Sequence, residues 1–154
     1  MGVHKLFHVA INSTDLDRSV DFYKRLGFQL IADRKVNNPN LLKAFAVESH
    51  DLRFVHLRLG DNEDATLLDI VQWYNPDTYE ADPPRSQMQR GLTRFAVLTD
   101  DTDATYRGLK AAGVKTLTEP QTMMTAQGGW RICLVEDPDG VVVQITELKQ
   151  PEST

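Results

Sequence analysis

The sequence predicts an α+β fold in which two βαβββ modules, paired in one chain, form a cupped mixed sheet with a central cavity. Three observations lead to that class. The 154 residues are the length of one domain, and a chain of that size buries roughly 70% of its extended surface on folding, so disulfide or metal staples are not required. Residues 8–28 (HVAINSTDLDRSVDFYKRLGF) lie without a gap over residues 94–114 (RFAVLTDDTDATYRGLKAAGV), at a constant offset of 86. Each copy is followed by three further strand-like runs. One domain therefore spans 1–154, with a first module at roughly 4–74, a linker at roughly 75–90 and a second module at roughly 91–149.

In each copy a short apolar run opens the module, with Val9 and Ile11 in the first and Phe95 and Val97 in the second. A Thr/Asp cluster follows, whose side-chain oxygens can accept the free amides of a helix start. Leu16, Val20, Tyr23 and Leu26 then recur at helical spacing, as do Tyr106, Leu109 and Ala112, and Gly27 and Gly113 stand where a left-handed cap ends a helix. Strands are expected at Phe28 to Ala32, Leu52 to Leu59 and Ala65 to Trp73, and again at Lys115 to Thr118, Trp130 to Val135 and Val141 to Leu148. Asp137-Pro138-Asp139-Gly140 reads as the hairpin loop between the last two. Residues 34–51 and 74–90 are the long irregular stretches; Leu41 to Val47 can form one helical turn, and Pro76, Pro83 and Pro84 mark the linker.

Composition narrows the function. Seventeen Lys and Arg against 22 Asp and Glu give a net charge of −5, the wrong sign for gripping phosphate backbones, so no nucleic-acid partner is expected. The single thiol, Cys133, has no intrachain partner and reads as packing. No apolar run approaches membrane-spanning length, the start runs directly into strand-like sequence, and Leu6 occupies the position where a myristoylated Gly2 would need Ser or Thr. The expectation is a cytoplasmic protein with no membrane partner.

Strand residues alternate between faces, so if Val9 and Ile11 meet the helix, His8, Ala10 and Asn12 face away. The same phase sends Arg94 and Ala96 to the open face of the second module. The last strands, Leu67-Leu68-Asp69-Ile70-Val71 and Val142-Val143-Gln144-Ile145-Thr146, each embed one polar residue in an apolar run, and a buried carboxylate or amide requires a partner. Pairing the modules about a pseudo-twofold axis would gather His8, Asp69, Arg94 and Gln144 on one concave surface. His56 alternates with apolar neighbours and faces either the cavity or solvent.

The order and spacing of HVAINSTDLDRSVDFYKRLGF, the LRLGD to LLDIVQW hairpin and VEDPDGVVVQITEL resemble the vicinal oxygen chelate superfamily, which includes glyoxalase I, extradiol dioxygenases and bleomycin and fosfomycin resistance proteins. The resemblance spans nearly the whole chain. It implies a metal held by one ligand from each of four strands, commonly His or Gln, Glu, His and Glu, and it implies a homodimer. The corresponding residues here are His8, Asp69, Arg94 and Gln144, and a guanidinium has no lone pair to donate. No cofactor is therefore expected; any metal would fall to His8, Asp69 and Gln144.

The resulting expectation is a small-molecule lyase or isomerase acting on an oxygenated, anionic substrate. His8, Asp69 and Arg94 are its candidate catalytic residues, with Arg94 stabilising enolate charge and His8 or Asp69 moving the proton. Arg94, Gln144 and His56 are its candidate substrate-binding residues. The alternative is a non-catalytic binding or resistance protein; a metal-dependent glyoxalase or dioxygenase is the third reading.

Overall fold

The computed structural model describes residues 3–82 and 86–151; Gly2, Pro83 and Pro84, raised above, lie outside them. The chain divides into two compact units between Ala81 and Asp82, within the stretch expected as a linker.

The first unit runs β1 (His8–Asn12), α1 (Leu16–Arg25), β2 (Phe28–Asn37), α2 (Asn40–Ala44), β3 (Asp51–Leu59) and β4 (Leu67–Tyr74). Its four strands are ordered β1-β4-β3-β2, with β1 parallel to β4 and the other pairs antiparallel. Asp15 caps α1 by accepting the Arg18 amide at 3.1 Å, and Gly27, at φ +92°, ends it. Arg53 of β3 bonds both Asp17 of α1 and Asp33 of β2, which assigns its face of the sheet to the helix. Val55 and Leu57 share that face and are fully buried, opposite the equally buried Ile70 and Leu68 of β4. His56 and Asp69 therefore point to the other face.

The second unit repeats the plan as β5 (Phe95–Leu98), α3 (Thr102–Ala111), β6 (Lys115–Thr116), β7 (Gln121–Thr125), β8 (Gly128–Glu136) and β9 (Val142–Lys149). β5 is parallel to β9, and β8 pairs β9 on one side and both β6 and β7 on the other. β6 and β7 together occupy the place of β2. They are separated at Leu117 and Thr118, whose amides both bond the Leu134 carbonyl, and β2 carries its own irregularity at the equivalent Ile31. Asp101 caps α3 through the Ala104 amide at 2.8 Å, and Gly113 closes it at φ +79°. In the 137–140 turn, Asp137 Oδ1 accepts the amides of Asp139 and Val141, and Gly140 takes φ +87°.

The repeat extends to individual hydrogen bonds. The Ser13 hydroxyl meets that of Ser19 at 2.7 Å, as Thr99 meets Thr105 at 2.9 Å. The Ser13 amide bonds the Val71 carbonyl, and the Thr99 amide the Thr146 carbonyl. Gln72 of β4 accepts the Leu16 amide at the start of α1, and Glu147 of β9 accepts the Thr102 amide at the start of α3. The last strand of each unit thus anchors that unit's helix.

Three expectations are corrected. β2 continues to Asn37, because residues 34–37 pair with the start of β3 rather than joining an irregular stretch. The helical turn lies at Asn40–Ala44 rather than Leu41 to Val47, and Ala46, at φ +53°, cannot extend it. β7 lies where no strand was expected; its five residues are all exposed, so it has no buried face to give it a period.

Candidate functional site

The open face of the first sheet brings three titratable side chains together. Asp69 stands in register with Ala10 of β1 on one side and with His56 of β3 on the other, while His8 lies two residues before Ala10 and so shares its face. His8 Nε2 is 4.0 Å from Asp69 Oδ2, and His56 Nε2 is 3.7 Å from Asp69 Oδ1. Both separations exceed hydrogen-bond length. Asp69 Oδ1 and His8 Nδ1 are buried and have no hydrogen-bond partner among the described residues. Burial raises the Asp69 carboxyl above its ordinary value, against the pull of His56 and then His8.

Aromatic rings surround the cluster. Phe54 lies 4.9 Å from the His56 ring centre and Phe7 lies 5.1 Å from that of His8. Farther along the same face, Trp73 donates its indole N–H to Asn12 at 3.1 Å and meets the Phe45 ring edge-on. The sequence left the direction of His56 open; the pairing of β3 with β4 sends it to the same side as His8 and Asp69.

In the second unit Arg94 and Gln144 come together on the face opposite α3. Arg94 Nε donates to Gln144 Oε1 at 2.7 Å, Arg94 Nη1 donates to Gln87 Oε1 at 3.2 Å, and Gln144 Nε2 donates to Thr146 Oγ1 at 2.9 Å. Arg94 is exposed, and these two partners are neutral amide oxygens that orient the guanidinium without cancelling its charge. Gln87 was not foreseen, since it sits in an aperiodic stretch with no pattern to single it out. Cys133 is fully buried on the helix face of β8, and burial pushes its thiol up to about 11, consistent with packing.

The donor set bears on the expectation that no metal binds. That expectation rested on Arg94, but His8, His56 and Asp69 offer ligand atoms all within 4.8 Å of one another, and Arg94 is not among them. Two imidazoles and a carboxylate suit a divalent transition metal, and the buried, unbonded Asp69 oxygen is an acceptor in need of a partner. The residues fit such an ion. The absence of a metal is therefore not supported.

Residues 5–145 match the family model described as Glyoxalase/Bleomycin resistance protein/Dioxygenase superfamily. The chain is 27% identical to a protein of Vibrio cholerae named probable lactoylglutathione lyase, over 97% of this chain and 95% of that one. It is 27% identical to the lactoylglutathione lyase of Haemophilus influenzae, over 97% and 96% of the two chains. Among solved structures, a glyoxalase family protein from Bacillus cereus superposes with a TM-score of 0.83 at 15% identity, covering 97% of both chains. The trypanothione-dependent glyoxalase I of Leishmania major superposes with a TM-score of 0.68 at 20% identity, covering 94% of this chain and 86% of that one. In the described residues no helix is long and apolar enough to cross a membrane.

Proposed function

This chain belongs to the glyoxalase/bleomycin resistance protein/dioxygenase superfamily, and from that premise we propose that it is a lyase acting on a small, oxygenated, anionic substrate. The observation that carries the reading is the half-buried carboxylate of Asp69 flanked by two imidazoles on one sheet face. A lyase or isomerase of this kind must remove a proton next to a carbonyl and hold the negative oxygen that results. Burial raises the proton affinity of Asp69 toward the range a base needs, and His8 beside it can pass the proton on.

Arg94 is assigned the anionic oxygen. Its guanidinium is aimed by Gln144 and Gln87, so its remaining N–H groups stay available to a carboxylate or enolate. Phe7 and Phe54 pack against the His8 and His56 rings. The donors that would hold a divalent ion are those of the same cluster, and when bound it supplies Lewis-acid polarisation of a carbonyl oxygen. We further propose a homodimer, as the family resemblance implies, and a cytoplasmic location.

The relatives' name supplies the first substrate to try. Turnover of lactoylglutathione and related small oxygenated compounds should be measured with chelator and again with added nickel, zinc, manganese or iron. Arg94→Met should abolish turnover and leave the circular dichroism unchanged. Retained turnover would remove Arg94 from the mechanism. A ligand that co-purifies and is released chemically unchanged, with no turnover under either condition, would favour a binding protein instead.

A further inference from the structure

We infer that His8, His56 and Asp69 are a complete protein ligand set for one divalent transition-metal ion, contained within the first unit, with His56 of β3 as the third ligand. The resemblance in the sequence points to donors on four strands, two of them at Arg94 and Gln144. Arg94 cannot ligate, and Gln144 spends its carbonyl oxygen on Arg94 and its amide nitrogen on Thr146. The first unit needs neither. Three adjacent strands in the order β1-β4-β3 present two nitrogens and a carboxylate from one side of one sheet.

The geometry is that of ligands awaiting a shared centre. At 3.7 and 4.0 Å the imidazole nitrogens are too far from the Asp69 oxygens to bond them, and the three donors all lie within 4.8 Å of one another, close to the span of two metal–ligand bonds of about 2.0–2.2 Å each. The side chains of His56, Asp69 and His8 are 21%, 13% and 37% exposed, so the carboxylate is withdrawn while an entry path remains beside His8. Phe54 and Phe7 pack against the imidazoles and restrict their swing. Nitrogen donors favour zinc, nickel, cobalt or iron over magnesium or calcium. Three protein ligands leave the remaining positions for solvent or substrate oxygens.

This inference shares its residues with the lyase reading but stands or falls separately. The full chain is stripped by dialysis against chelator and titrated with cobalt(II), following the ligand-field absorption and the metal content per chain. The wild type and Arg94→Met should each take up one ion. His56→Ala should bind at least ~10-fold more weakly. If that variant has lost its circular dichroism, His56→Gln is read in its place. Wild-type affinity in the folded His56 variant, no uptake by the wild type, or displacement of cobalt by millimolar magnesium would each overturn the inference. One ion per chain without turnover of any substrate keeps the site and removes the lyase. Turnover that survives full chelation in a protein taking up no cobalt does the reverse.

Discussion

Replacing Asp69 by asparagine keeps the outline of the side chain and removes its charge, and the metal-free protein should gain stability from the change. The carboxylate is 13% exposed and its Oδ1 has no hydrogen-bond partner among the described residues. An unsatisfied buried acceptor costs about 1–3 kcal/mol, and more when charged. The amide retains part of that cost, so the expected gain is about 1–2 kcal/mol. For a chain of this length each kcal/mol moves Tm by about 2–4 °C, so the variant should melt about 2–8 °C higher.

The assay is thermal unfolding of chelated protein near neutral pH, repeated in acid. Burial raises the folded-state pKa of Asp69, so the penalty attaches to the ionised form. It is fully present above the folded pKa and absent below the ordinary value of 3.8, where the group is protonated in both folded and unfolded chains. The gap between variant and parent should therefore close as pH falls to that value. Turnover and metal uptake should be lost while stability rises, since a neutral amide is a poor base and a poor ligand. An unchanged or lowered Tm near neutral pH would mean that the carboxylate is satisfied in the fold, which would refute the account of an orphaned charge.

Three further outcomes follow from the two frameworks. Gln72→Leu removes the bonds to the Leu16 amide and the Thr14 carbonyl and should cost about 1–3 kcal/mol in urea unfolding while leaving metal uptake intact; a variant as stable as the parent would show that the anchor contributes nothing. Lys149 and the Thr102 amide hold the Glu147 carboxyl below its usual range, so its stabilisation is present above pH 4.5 and lost as pH falls through the folded value. Glu147→Gln should accordingly weaken the protein at neutral pH and converge with it in acid, a pattern that acid titrations of unfolding would reveal. Cys133 should resist alkylation in the native state at neutral pH and react at once in denaturant; rapid native labelling would contradict its burial.

Much of this organisation was legible in the sequence because it obeys local rules. The ungapped offset between His8 and Arg94 exposed the duplication, the alternation around Val9 and Ile11 gave the face of His8, and Gly27 and Gly113 marked both helix ends. What was hidden depends on contacts remote in sequence. The direction of His56 follows from its register opposite Asp69, which the connection between β3 and β4 sets and no pattern within β3 reveals. β7 has no buried side to impose a period, and Gln87 gains its role only by meeting Arg94. The expectation of no metal lost its support for the same reason. It followed the positions matched by the repeat and the resemblance, whereas the cluster that could hold an ion includes His56, on a strand neither had marked.

Gln72 stands three positions after Asp69, and Glu147 three after Gln144, each on the reverse side of the same strand from its neighbour. Tethering residues and candidate site residues thereby occupy opposite faces of a single ribbon. A mutation that rewrites reactivity need not loosen the scaffold, and one that loosens the scaffold need not touch reactivity. Such a division lets twin copies of one architecture drift toward dissimilar occupations, one carrying nitrogen and carboxylate donors and the other a guanidinium steadied by amides, without either ceasing to fold.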